Sequence, residues 1–506
     1  MRKPCRREER TLSECIRIGY GSATVRIPEW KGLNQYGDGI GTDPRFAVES
    51  VNVLTTDGVL RPMAQCRQHV ATLGSPIETL ARLYRRFHAV EDEREVLIAA
   101  SDGQLYWMLP GGDAWNPISL PPGWIGTRYQ ESRWSYVTYE INPEGSEAPV
   151  DVMLLSNARD GMICIRGDDM TAAIVPTPKK FGVIARYAER VWGGAIEDEP
   201  DMLVYSAPYD PFDWTQNDEI PEDGAGDVLQ PSWDGDSFQA LTPFGSQLMA
   251  FKRTKVWRIL GTNPGEYTFK EQYGGGTAYP NTVAVDGSRI LMLGREGLLQ
   301  YNGESVEPYY QDYARRVWER TNHIAMDKAF AVMFGHTYYC ALPLDGSQDN
   351  NAVLMYNTEE RTWLLREGLE VEAFLPTEDE LYFTSATTPG RLWIWREDGA
   401  DAVEAMRWVS GWQDFGYLNM TKGSFTVYLA VECDQKVELS IGIQTEKKLK
   451  QKTVTFSPPA DGKGVKQRRL VFGGSGRRFR LIVESFGTVP WRLAGGMQIE
   501  AETDTD

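Results

Sequence analysis

Residues 185–215 read ARYAERVWGGAIEDEPDMLVYSAPYDPFDWT, and this stretch sets the reading of the whole chain. Two apolar-alternating runs, 185–192 and 202–206, flank a Gly-Gly and an acidic turn. Val, Trp and Tyr fill the runs, and Gly, Pro and Asp stand between and after them, which is the signature of paired strands. The same unit recurs. EVLIAAS at 95–101, an Asp-Gly turn and QLYWM form a hairpin, as do DVMLLS at 151–156, NARDG and MICIR. Further pairs start at Gln247, Arg289, His336 and Leu381.

With the opening stretch this makes seven hairpins, their centres about 40–60 residues apart, the spacing of one four-stranded blade per repeat in a β-propeller. Trp115, Trp214, Trp257, Trp318 and Trp363 each fall near the end of a unit, where an aromatic ring would plug the wedge between blades. The expected fold is therefore all-β: a six- or seven-bladed β-propeller over residues 79–402. Residues 1–78, rich in Gly and Pro with scattered strand signals, read as an extended N-terminal arm lying on another surface. From 403 to 506, alternating segments such as SFTVYLAVEC, KVELSIGIQ and RFRLIVES read as a C-terminal β-sandwich. Ser75-Pro-Ile-Glu78 fits a helix capping box, and LARLYRRF after it has both helical spacing and strand character.

The 506 residues carry a formal charge of −18, which does not suit a protein that grips nucleic acid with its whole surface. That charge is segregated. From 196 to 238 there are 13 Asp or Glu and no Lys or Arg, densest at Glu197, Asp198, Glu199 and Asp201 and at Asp218, Glu219, Glu222 and Asp223. Such loops read as a solvated face, as a wall repelling DNA in transit, or as a calcium site lacking EF-hand spacing. From 447 to 480, 11 Lys or Arg face only Asp461. Among them Lys447, Lys448, Lys450, Lys452, Lys466, Arg468, Arg469, Arg477, Arg478 and Arg480 alternate with apolar residues on strands. These read as a solvated face, as a surface docking onto an acidic neighbouring subunit, or as a DNA contact.

Chemistry is sparse. The six cysteines are widely spaced without CxxC and read as reduced thiols; the four histidines lack zinc-site spacing. Nucleophile-elbow, P-loop and GxGxxG patterns are absent, so neither an enzyme nor a cofactor is expected. The charged N-terminus lacks an apolar signal core, and no run of about 18 apolar residues suggests a membrane span.

Several phrases carry a resemblance. FAVESVNVLTTDGVLRP, VDVMLLSNARDGMICIRGDDMTAAIV, GREGLLQYNG, YYCALPLDG with NNAVLMYNTEERTW, and RRFRLIVESFGTVPWRLAGGMQIEAE are similar, in style and spacing over residues 40–500, to one group. They resemble the tail-nozzle, or packaged-DNA stabilisation, β-propeller proteins of tailed bacteriophages. That resemblance implies a structural virion protein without catalytic residues or cofactor. It implies partners in other copies of itself arranged in a ring, other tail or connector proteins, and viral DNA in transit. The acidic loops would approach the channel, the basic strands would contact neighbours, and the arm would dock onto adjacent subunits. A propeller-based receptor- or glycan-binding tail adhesin is the alternative, using Trp and Tyr on a propeller face.

Overall fold

The computed structural model describes residues 16–504 except 20, 38, 123, 125–133, 144–147, 230–234, 310, 400–401 and 459–464. Seven of its sheets have four antiparallel strands each and follow one another along the chain. Blades 1 to 6 comprise residues 79–117, 135–175, 183–229, 240–272, 284–308 and 330–367. Blade 7 comprises 373–394 plus a strand from far upstream, Arg67–Thr72, which pairs with Arg391–Ile394. In each blade the first strand lies innermost, against its counterparts in neighbouring blades. The molecule contains a seven-bladed β-propeller. Its ring is closed by a strand from the N-terminal side, which leaves no unpaired seam between first and last blades.

Six of the seven hairpins seen in the sequence are the central pairs of their blades, and the seventh, in blade 3, is shifted. Their turns obey local chemistry: Asp102 and Gly103 have φ of 53° and 76°, the left-handed pair that a two-residue hairpin turn needs. Thr79–Tyr84, ambiguous in sequence, is the inner strand of blade 1.

Blade 3 departs from its sequence reading in an instructive way. The run 185–192 is not one strand but the turn of a hairpin, Val183–Tyr187 against Arg190–Gly194. Ala188 and Glu189 take φ of 50° and 54°, and the Glu189 carbonyl accepts from the Tyr139 hydroxyl (2.6 Å) and the Tyr209 amide (2.8 Å). Gly193 and Gly194, which read as a turn, lie inside the strand. A Cβ on Gly193 would come within 2.4 Å of the Phe181 ring, so glycine is required there by packing.

Hydrophobic clusters fill each gap between blades. Leu83, Ile98 and Met153 join blades 1 and 2; Val152, Val191 and Phe181 join 2 and 3; Trp192, Tyr205 and Leu248 join 3 and 4. Trp115, Trp214, Trp257, Trp318 and Trp363 all lie in or against such clusters, packed as core rather than displayed.

Two of the remaining three sheets, five strands each, form the β-sandwich; the third is the short pair Val53–Leu54 and Arg61–Pro62. The sandwich sheets are not built from the C-terminal region alone. Ser22–Ile27 pairs with Arg492–Asp504, and Ala47–Val51 pairs with Met406–Ser410. The stretch expected as an arm lying on another surface is, over its described residues, woven into its own chain. It gives strands to both sandwich sheets and then closes the propeller. Val25 and Ile27 are buried in the sandwich core, and Trp30 meets Trp408 edge to face at 4.7 Å. That burial is the physical reason: alternating apolar residues gain far more inside their own core than on a surface.

Candidate functional site

The acidic residues of blade 3 divide between two places. Glu197, Asp198, Glu199 and Asp201 sit in the tight turn between Arg190–Gly194 and Met202–Tyr205. Asp218, Glu219, Glu222 and Asp223 sit in loop 206–225, which joins Met202–Tyr205 to the outermost strand, Gly226–Leu229. Successive connections in an antiparallel sheet leave opposite ends of the shared strand. The two groups therefore face opposite sides of the propeller, and neither belongs to the inner strands around its axis.

The turn is partly neutralised. Asp201 pairs with Lys252 of blade 4, whose side chain is fully buried and also lies 4.6 Å from the Phe238 ring. Glu199 pairs with Lys179 at 2.9 Å. Glu197 and Asp198 are exposed. Loop 206–225 is anchored from beneath by Arg190, a buried guanidinium lying 5.2 Å from the Tyr205 ring. It donates to the Ser206 carbonyl (2.8 Å), the Gly224 carbonyl (2.6 Å) and the Glu222 carbonyl. The four acids above that anchor are all exposed. Among the described residues no group of three or more His, Cys, Asp or Glu is arranged to hold a metal ion.

The basic residues gather on the sandwich. Lys450 and Lys452 lie on Leu449–Phe456, the edge strand of one sheet; Lys466, Arg468 and Arg469 lie on Val465–Gly476, the edge strand of the other. Register decides which way they point. Lys450 and Lys452 oppose Ile443 and Ile441, whose side chains enter the core; Arg468 and Lys466 oppose Leu429 and Val431, which do the same. All four cations thus line the open mouth between the sheets, an inward-charged edge that discourages indiscriminate strand pairing. Beside them is a cleft of about 700 Å³ lined by Lys447, Lys448, Lys450, Lys452 and Phe472. Lys452 lies 5.5 Å from the Phe472 ring.

The others differ. Arg477 and Arg478 occupy a turn whose amides donate to the Glu446 carboxylate (3.1 and 3.0 Å). Arg480 is half-buried, bonds Gln444 at 2.8 Å and covers the Trp412 ring at 5.0 Å; burial lowers its pKa from the usual value. Of the ten basic residues singled out in sequence, none has a salt-bridge partner among the described residues.

Sequence reasoning missed the buried cations Lys252, Arg190 and Arg366, since nothing local distinguishes a buried Lys or Arg from a surface one. Cys66, Cys164, Cys340 and Cys433 are free thiols, and burial pushes the Cys164 thiol up to about 12. Among the described residues no helix is long and apolar enough to cross a membrane.

No protein-family model matches the chain, and no curated protein matches it. Among solved structures it is similar to the Neurospora crassa Pan2 WD40 domain, at 9% identity and a TM-score of 0.38, covering 67% of this chain and 98% of that one. It is also similar to the structure described as YCF48 bound to D1 peptide, at 12% identity and a TM-score of 0.37, covering 65% and 94%. These likenesses are of fold alone; the sheet order of the chain itself makes it an all-β protein with a seven-bladed propeller.

Proposed function

We propose that the chain is a structural virion protein of a tailed bacteriophage, part of the tail or head-to-tail channel that retains and guides genomic DNA. The observation that carries this reading is the division of charge between modules. The sandwich offers a cluster of cations without ion-pair partners among the described residues, whereas blade 3 offers exposed carboxylates on both propeller faces. A basic patch on one copy facing an acidic patch on the next is a heterologous contact, the kind that closes into rings. The propeller supplies a rigid body, and the sandwich supplies the joint. Tail and connector proteins are the further partners.

In this reading DNA passes beside the propellers, through a hole enclosed by several copies. Carboxylates left over after docking face the phosphates and keep the duplex from adhering. Resemblance to the phage tail-nozzle proteins supports the same assignment.

Negative-stain imaging of the purified chain, alone and with virion extract, tests it. Hollow rings with an opening wide enough for a duplex are expected. Reversing Lys450 and Lys452 to Glu abolishes the rings, and reversing Glu222 and Asp223 to Lys in the same chain restores them. Single propellers under every condition would overturn the reading.

A further inference from the structure

A second concavity lies on the outer face of the sandwich sheet built from Ser22–Ile27, Arg492–Asp504, Thr421–Glu432 and Val465–Gly476. Four side chains stand in one row across these four of its five strands. Arg26 opposes Gln498, Gln498 opposes Tyr428, and Tyr428 opposes Arg469. Beside the row the strand Arg492–Asp504 bulges. Leu429 pairs with Met497 but Val431 pairs with Leu493, so Ala494, Gly495 and Gly496 loop out. Gly495 and Gly496 take φ of 71° and 79°. A Cβ on Gly496 would meet the Ile27 carbonyl at 2.1 Å, whereas one on Gly495 would meet nothing within 4 Å. The bulge therefore packs down on one side and leaves open space on the other. The result is a depression of about 600 Å³, a size suited to a small ligand.

The polar groups in it are held in place. Arg26 Nε donates to Gln498 Oε1 (2.9 Å), Gln498 Nε2 donates to Glu500 Oε1 (2.7 Å), and the Tyr428 hydroxyl donates to Glu500 Oε2 (3.1 Å). Because Glu500 is the diagonal neighbour of Tyr428, this last bond lays the ring along the sheet and turns one face outward. Arg469 completes the rim and has no salt-bridge partner among the described residues.

We infer that this depression is a binding site for an anionic saccharide, an oligosaccharide bearing carboxylates. A flat tyrosine face takes the apolar face of a sugar ring. The fixed Gln498 amide meets hydroxyls, and guanidinium forks match carboxylates in a bidentate way. Arg26 and Arg469 are three strand spacings apart, roughly 14 Å at ~4.8 Å each, so they reach both ends of a chain of a few sugar rings. A protein partner would need about 800 Å² of surface per side, far more than this depression offers. The site is separate from the cationic mouth between the edge strands, and the inference holds whether or not the chain serves in a virion.

Titration calorimetry on the full chain tests it with four probes: trigalacturonate, sialyllactose, maltotriose and hexaglutamate, each with and without sodium sulfate. Binding of at least one carboxylated saccharide is expected, with maltotriose and hexaglutamate silent and sulfate competing only weakly. Tyr428→Ala and Arg469→Gln should each weaken that binding about tenfold or more while leaving the thermal midpoint within a degree or so of the parent. Arg469 is exposed, so its variant guards against loss of fold. Absence of binding by both carboxylated saccharides would overturn the inference. So would equal binding of hexaglutamate, or a saccharide affinity indifferent to Tyr428→Ala.

Discussion

Arg366 and Glu404 are joined at 3.1 Å, an ion pair that ties the last strand of blade 6 to the segment leading into the sandwich. The guanidinium is almost wholly buried, lies 4.7 Å from the Trp395 ring, and donates to the Arg396 carbonyl (2.8 Å) and the Ala64 carbonyl (3.0 Å). One side chain thus binds blade 6, the exit from blade 7, the segment entering the closing strand, and the start of the sandwich. Arg366→Leu strands two carbonyls and loosens all four at once. A loss of about 3 kcal/mol, read from the guanidinium unfolding midpoint, is expected. Arg366→Lys should recover little, because an ammonium cannot fork toward several acceptors. A midpoint unchanged by the leucine variant would show that the closure is held elsewhere.

Asp201 and its neighbours Glu197 and Asp198 look alike in sequence but differ in role. Asp201 compensates the buried Lys252, whereas Glu197 and Asp198 are exposed. Asp201→Asn should cost about 2–3 kcal/mol, since it removes a carboxylate from beside a buried ammonium. Glu197→Gln with Asp198→Asn should fall within ~0.5 kcal/mol of the parent. Equal effects of the two changes would contradict the assignment of Asp201 as structural.

Glu78, immediately before the inner strand of blade 1, has its pKa raised to about 7, chiefly by burial, with Asp102 and Asp160 adding repulsion. The ordinary value is 4.5, so between 4.5 and about 7 the folded chain holds a proton that the unfolded chain releases. Stability from this group is present below that window and is lost as pH rises through it. Glu78→Gln should flatten this part of the curve. Its thermal midpoint should exceed that of the parent at pH 8 and match it near pH 4. A parallel offset at every pH would refute the titration.

Gly193 faces the Phe181 ring at a separation no Cβ tolerates, and Phe181 in turn lies 5.2 Å from the Trp214 ring. Gly193→Ala must push the ring out of the wedge between blades 2 and 3. A cost of about 1–3 kcal/mol is expected, and Phe181→Leu in the same chain should relieve part of it. Additive losses in the double variant, measured in one unfolding series, would rule out the clash as the cause.

Seven hairpins were legible in the sequence because each strand pair and its turn lie within a short span, where alternation and turn chemistry are local properties. The all-β class and the two charge concentrations follow from that same local information, whereas the blade count, six or seven in sequence, was decided by the sheet order. The fate of residues 16–72 does not. Thr24 pairs with Glu500 and Thr72 with Arg391, and contacts across hundreds of residues leave no periodic trace in either partner. Charge behaved likewise. The sequence determined that blade 3 is acidic and that 447–480 is basic. Only the tertiary structure decided that one acidic group faces each side of the propeller, because that depends on which strand ends a connection leaves. Only register decided that Lys450, Lys452, Lys466 and Arg468 face one mouth, since a one-residue slip would have turned all four outward. Composition sets what charge and apolar surface a chain has to place; burial and strand pairing decide where they go.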